Sequence, residues 1–229
     1  MMKKRIVYFV LATVFLLSFA LLSKNEDRQF MRNLDFAVTV KVQERIDRSA
    51  HLRLASLVGN TMEGATFFSS PEFTVVVTIL ITAKALYDRR RKQWNYKAFV
   101  IPLALTMLVL IEIFGKSIVH HPSPMYSMIK NPTSIFPANY INEQFSYPSG
   151  HAARAVFLSF VLLLTIEQLN NNIMKKRLSI GLGLGIYVAL VSVSRVYLGH
   201  HWLSDVIGGI LVGSALGVLT WMSVPPYNT

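Results

Sequence analysis

Long apolar runs alternate with short charged stretches along this chain, and the alternation predicts its elements. Neither Ile6 to Ser23 nor Val206 to Val224 contains a charged residue. A soluble core helix rarely needs about 18 uncharged residues in a row, whereas a bilayer span needs about 20 mostly apolar ones. Six spans are predicted on this basis, at about 6–23, 71–87, 98–117, 151–168, 178–195 and 203–223. Ionisable residues interrupt the third and fourth near one end: Glu112, Lys116 and Arg154. Between the first two spans, Leu34, Val38, Val42 and Ile46 recur at helical spacing within Lys24–Ser70, a stretch with seven basic and six acidic residues. That pattern predicts one or two amphipathic helices at the membrane interface, serving as a plain connector or as a lid over a substrate entrance. The fold class is therefore all-α. It is a polytopic membrane protein of one domain, residues 1–229, with six transmembrane helices and an extracytoplasmic amphipathic helical segment, 24–70, between helices 1 and 2.

Charge orients this layout. Lys3, Lys4 and Arg5 precede the first span; Arg89, Arg90, Arg91, Lys92 and Lys97 join the second to the third; Lys175, Lys176 and Arg177 join the fourth to the fifth. Six spans put these clusters on one face, which the positive-inside rule makes cytoplasmic. The net charge of +11 is explained in this way without nucleic acid, since no basic face with interleaved aromatics occurs outside those loops. Met1–Ser23 has the basic start and the Ser18-x-Ala20 ending of a secretory signal, but its apolar run exceeds a usual signal core, so a retained span is expected. With 52% hydrophobic residues and no cysteine, the composition fits the membrane class and excludes disulfides and thiolate metal sites. Gly209, Gly213 and Gly217 in the sixth span, and Gly181 and Gly185 in the fifth, recur every four residues and predict close packing between these spans.

The same topology gathers a polar set on the opposite face. Lys116 stands where the third span exits, Pro148-Ser149-Gly150-His151 where the fourth enters, Arg195 where the fifth closes, and His201 and Asp205 where the sixth opens. Polar groups beside hydrocarbon are costly, so such a gathering is a functional signal. Cleaving a phosphate ester takes a nucleophile, an acid for the leaving oxygen, and cations or N–H donors around the phosphoryl oxygens. His201 and Asp205, four apart at a helix start, share a face. The carboxylate there fixes one imidazole tautomer and leaves the other nitrogen nucleophilic; a capping aspartate beside an interfacial histidine gives the same pair. Ser149 and Gly150 lie at a helix N-terminus, where free N–H groups attract phosphate oxygens, and His151 stands beside them to protonate an alkoxide. Lys116 and Arg195 supply cations, Arg195 with planar bidentate geometry. Snorkelling accounts for both equally, as does an ion pair of Lys116 with Glu112 one turn earlier. His120, His121, His151, His200 and His201 raise the question of a metal. Adjacent histidines diverge from a helix, however, and no His-x3-His or carboxylate cluster of the usual kind occurs, so none is predicted.

In Pro148–His151 and in Ser194-Arg195-x5-His201-x3-Asp205 the chain resembles the type 2 phosphatidic acid phosphatases, a superfamily shared with vanadium haloperoxidases and some bacterial acid phosphatases. The family pattern runs Lys-x6-Arg-Pro, Pro-Ser-Gly-His, then Ser-Arg-x5-His-x3-Asp. The motifs cover Lys116 to Asp205, and the six-span layout extends the likeness to nearly the whole chain, most of all to bacterial membrane phosphatases of phosphatidylglycerophosphate. The first motif departs: seven residues after Lys116 stands Ser123 in place of arginine, with Pro124 retained. Arg154, three residues after His151 on nearly the same helical face, is a candidate to supply the missing charge; interfacial snorkelling is the alternative. The resemblance implies that His201 is the nucleophile and forms a phosphohistidine, that Asp205 orients it, and that His151 protonates the leaving alkoxide and then activates water. Lys116, Ser149, Gly150 and Arg195 hold the phosphoryl oxygens, and no metal or other cofactor is required. It further implies an extracytoplasmic active site in a bacterial plasma membrane, with the bilayer and a lipid phosphate as partners. Phosphatidylglycerophosphate is favoured over phosphatidic acid or an isoprenoid pyrophosphate such as undecaprenyl pyrophosphate. Phosphate transfer to another lipid, and a non-catalytic membrane protein with a decayed site, are the remaining readings.

Overall fold

The computed structural model describes residues 2–49, 52–88, 93–130, 144–169 and 174–224. Its helices are α1 (Met2–Asn25), α2 (Gln29–Ser49), α3 (Leu52–Phe67), α4 (Pro71–Leu86), α5 (Val100–Val119), α6 (Gly150–Leu169), α7 (Met174–Tyr197) and α8 (Leu203–Ser223). Two short antiparallel strands, β1 (Tyr87–Asp88) and β2 (Gln93–Trp94), stand between α4 and α5. Local chemistry sets the boundaries. Ser70 caps α4 by accepting the Phe73 N–H at 3.2 Å with Pro71 in the first turn, and α5 stops where His120 turns left-handed at φ 51°.

Helices fill all six predicted stretches, yet the count of full crossings differs. Among the described residues, four helices are long and apolar enough to cross a membrane: Arg5–Asn25, Tyr96–Val119, Leu178–Tyr197 and Leu203–Ser223. Leu57–Phe67 and Pro71–Leu86, bent by 46°, make a fifth if they count as one broken span. The 16 residues of α4 reach only about 24 Å, short of a bilayer core of about 30 Å, so this second predicted span is long enough only if α3, expected in the interfacial segment, is counted with it. The apolar part of α6, Gly150–Thr165, is likewise short. Of the orienting basic clusters, residues 89–92 and the side chains of Lys175, Lys176 and Arg177 lie outside the described set.

The helix expected between the first two spans forms as α2; Val42 packs inward against Ala152, Val196 and Val206, and a polar stripe turns in beside it. Asp35 is 2% exposed and Thr39 fully buried, whereas Leu34 is 39% exposed. Polar docking explains the rotation. The Asp35 carboxylate accepts the Ser204 N–H at 2.9 Å and its Oγ–H at 2.6 Å, and Gln43 Nε2 donates to the carbonyls of Met128 (2.7 Å) and Tyr197 (2.9 Å).

At the centre stands α8, packed against α6 and α1. A Cβ on Gly209 would lie 2.3 Å from the Ser149 carbonyl, one on Gly213 2.4 Å from the Ala153 carbonyl, and one on Gly217 2.5 Å from the Phe160 ring. The glycine stripe therefore seats α8 on the fourth span. Gly181 and Gly185 of α7 meet nothing within 4 Å, so the expected packing between the fifth and sixth stripes is not what these glycines do. Around this contact Ile101, Leu108, Phe157, Val161, Leu164 and Val212 form the core. Apolar side chains also point outward, among them Phe9, Leu17, Leu80, Phe114 and Ile186, a surface fitted to lipid. Gly213→Leu is expected to lower stability by at least about 2 kcal/mol in detergent thermal unfolding, while Gly181→Leu changes it by less than about 0.5 kcal/mol.

Candidate active site

Two backbone devices assemble the predicted residues at one end of the bundle. The Ser149 N–H, just before α6, donates to the Asp205 carbonyl at 2.9 Å, so the Pro-Ser-Gly-His turn is bonded to the first turn of α8. At the end of α7, the Arg195 carbonyl accepts the N–H groups of His200 (3.1 Å) and His201 (3.2 Å). That tight turn depends on Gly199, at φ 69°, where a Cβ would stand 2.2 Å from the Met128 carbonyl oxygen.

His201, Arg195 and Asp205 are all buried. His201 Nδ1 faces Asp205 Oδ2 at 3.5 Å, close but long for a hydrogen bond. The carboxylate is otherwise engaged: Oδ2 accepts the Trp202 N–H at 2.8 Å, and Oδ1 lies 2.8 Å from His121 Nδ1. Asp205 thus caps α8 and faces two histidines at once. Burial pushes the His201 pKa below its ordinary value; Asp205 opposes that shift and the Arg195 charge adds to it. His200 is driven down to about 2 by burial, then by Arg195 and His201. His151, half-buried at the start of α6, lies in the field of Arg195, Arg154, His201 and His200, and Lys116 acts on His201. With the Ser149 N–H committed to Asp205, its Oγ, buried without a hydrogen-bond partner, is what Ser149 offers a ligand. The free N–H groups of the α6 first turn lie beside it.

Arg154 is neither a spare cation nor a snorkelling one. It is 4% exposed, donating from Nη1 to Glu112 Oε2 at 2.6 Å and from Nε to the Ser69 carbonyl at 2.9 Å. Glu112 Oε1 also accepts from Lys116 Nζ at 3.3 Å, so the intrahelical pair forms and one carboxylate serves both cations. The same carboxylate presses on Gly150, where a Cβ would lie 2.0 Å from Oε1. A pocket of about 500 Å³ opens at this point, with apolar walls from Pro71, Val109, Ile113 and Phe145 and a polar end of Glu112, Lys116 and Arg154.

Four residues outside the predicted set belong to this region: His121, Glu26, Asp35 and Ser204. His121 was visible only as one of two adjacent histidines, and the carboxylates only as members of a charge-balanced connector. Contrary to the absence of any metal-type cluster in the linear pattern, Glu26, Asp35 and His121 bring one ligand atom each within 4.8 Å of one another. Burial pushes Glu26 up to about 7 and raises Asp35; the Asp205 hydrogen bond and the charges of Asp205 and Glu26 raise His121 against its burial.

A family model described as the PAP2 superfamily matches residues 97–228. Phosphatidylglycerophosphatase B of Bacillus subtilis (strain 168) is 25% identical over 173 residues, 76% of this chain and 78% of that protein. An undecaprenyl-diphosphatase of Sulfolobus acidocaldarius is 32% identical over 163 residues, 70% of this chain and 69% of its own length. The crystal structure of a transmembrane PAP2 type phosphatidylglycerolphosphate phosphatase from Bacillus subtilis superposes with a TM-score of 0.72 at 20% identity, covering 91% of this chain and 93% of the other. LpxE from Aquifex aeolicus superposes with a TM-score of 0.53 at 20% identity, over 82% and 94% of the two chains. With the apolar helices above, this likeness makes the chain a multi-pass membrane protein. Glu112→Gln, which strands the buried Arg154 charge, is expected to cost about 3 kcal/mol in thermal unfolding; joint replacement of Glu112 and Arg154 by leucine recovers most of it.

Proposed function

The chain belongs to the PAP2 superfamily, and on that footing we propose that it is a lipid phosphatase of a bacterial plasma membrane. It hydrolyses a lipid phosphomonoester or pyrophosphate, with phosphatidylglycerophosphate favoured, through one domain whose catalytic motifs lie within 116–205. The observation that carries this reading is the pocket in which Pro71, Val109, Ile113 and Phe145 stand beside Lys116, whose partner Glu112 also lies against Gly150 at the start of α6. A lipid fits it with tails along the walls and phosphate at the polar end. The basic clusters support an extracytoplasmic position for that end.

In the proposed reaction His201 Nε2 attacks phosphorus while Nδ1 faces Asp205. The P–N bond forms as the P–O bond to the lipid breaks, and His151 gives its proton to the departing alkoxide. His151 then takes a proton from water, which attacks the phosphohistidine and releases inorganic phosphate and neutral His201. Lys116, Arg195, the Ser149 hydroxyl and the backbone at Gly150 stabilise the phosphoryl oxygens throughout. A metal enters no step.

The experiment is phosphate release by detergent-purified protein from phosphatidylglycerophosphate, phosphatidic acid and undecaprenyl pyrophosphate. His201→Ala and His151→Ala are each expected to lose at least about 10³-fold in turnover while remaining folded. Near-normal turnover in the His201 variant removes it as nucleophile. The pH profile is a second check. As pH falls, His201 gains a proton and loses its attacking lone pair. Because burial lowers its pKa, that limb is expected below about pH 6.5. As pH rises, His151 loses the proton it must donate, which bound phosphate helps it retain. A rate maximum between the limbs is expected; a monotonic profile contradicts paired histidine roles.

A further inference from the structure

Behind Asp205, on the side away from His201, we propose that Glu26, Asp35 and His121 form a binding site for a borderline divalent cation of the zinc kind. Three parts of the fold meet there: the corner after α1, the inner face of α2, and the turn after α5. All three side chains are buried, with Glu26 1% exposed, and their ligand atoms lie within 4.8 Å of one another.

Donor accounting separates Glu26 from its neighbours. Asp35 accepts from the Ser204 N–H and Oγ–H, and Asp205 from the Trp202 N–H and His121. Both oxygens of Glu26 are buried with no partner in hydrogen-bond geometry; the nearby Ser204 hydroxyl, which acts on Glu26, gives its proton to Asp35 at 2.6 Å. The nearest imidazole nitrogen, His121 Nε2, stands 3.8 Å from Oε2, beyond hydrogen-bond reach. His121 is already oriented as a ligand. Its Nδ1 proton, directed to Asp205 Oδ1 at 2.8 Å, leaves the Nε2 lone pair facing Glu26. An imidazole held by an outer carboxylate on one nitrogen and open on the other is the usual arrangement of a metal-bound histidine. Glu26, Asp35 and Asp205 surround the His121 imidazole, with His201 on the other oxygen of Asp205, and buried negative charge is costly unless compensated.

Two carboxylates and an imidazole suit zinc or manganese better than calcium, which takes oxygen ligands alone. Ligands at about 2.1 Å from one ion sit about 3.4 Å apart, so closure needs side-chain shifts of about 1 Å. Such an ion would tie the α1–α2 corner and the end of α5 to α8 through Asp205 and Ser204, without touching the phosphoryl group.

The test uses untagged, full-length protein in detergent, stripped with a chelator and reloaded with zinc at micromolar concentration. Wild type is expected to retain about one ion per chain by mass spectrometry and to gain about 4 °C or more in unfolding temperature. Glu26→Gln, which keeps the side-chain shape, is expected to lose both; His120→Ala, at an exposed position, keeps both. X-ray absorption at the zinc edge of wild type alone is expected to show a mixed oxygen and nitrogen shell with one imidazole, so the proposal stands or falls even if Glu26→Gln does not fold. No retained ion in wild type, an all-histidine shell, or equal binding by a folded Glu26→Gln overturns it. His201→Ala is expected to keep its ion, so loss of the phosphatase reading and loss of this site are separate outcomes.

Discussion

The contact of two helix backbones, α6 against α8, is the constraint on which the other positions depend. Gly209 and Gly213 admit the carbonyls of Ser149 and Ala153 to distances that no side chain tolerates, and the Ser149 N–H then bonds the Asp205 carbonyl. In lipid there is little hydrophobic gain from bringing helices together, so small residues and close van der Waals contact supply the association. The joined first turns put the histidine that opens α6 beside the histidine that precedes α8. A register shift of either helix would separate them before any side chain changed its rotamer.

Helix α2 follows a second constraint, polar satisfaction. Turns and helix ends expose N–H and carbonyl groups that lipid cannot serve. The α2 side chains Asp35 and Gln43 serve three of them, at Ser204, Met128 and Tyr197, while Asp47 pairs with Lys130 and accepts from the Tyr197 hydroxyl. A helix employed in this way buries Asp35 and Thr39 beside Val42 and offers Leu34 and Phe36 outward.

What was legible in the sequence was whatever depends on local composition or on short spacing. The helices over the six apolar stretches were legible because hydrocarbon demands uncharged runs, though only four or five crossings are long enough among the described residues, and the histidine and glycine turns were legible because their residues are neighbours in the chain. The face of α2 was legible only in part: Val42 packs inward, but the adjacent stripe Asp35-Thr39-Gln43 is drawn in beside it by partners 85 to 169 residues away, which turns Leu34 outward. The fate of Arg154 was hidden for the same reason: its position on the His151 face was correct, but Glu112, 42 residues earlier, takes its charge. His121 stood out only as one of two adjacent histidines until the fold set it against Asp205, 84 residues on.

The Glu112 carboxylate between Lys116 and Arg154 has a bearing on which molecules the site retains. It is a tethered counter-ion that cannot diffuse away, so any incoming dianion finds Lys116 already half neutralised. A free phosphate ion, which has no chain to lay against apolar residues, gains less from Lys116 than it would from an unpaired lysine. In the proposed reading, a phosphate carried on an acyl or prenyl chain would add contacts with Pro71, Val109, Ile113 and Phe145 to the same weak ionic gain. Built-in competition at the charged end thus moves the discriminating contacts to the apolar end, and the inorganic product leaves a site that was never strongly attractive to it.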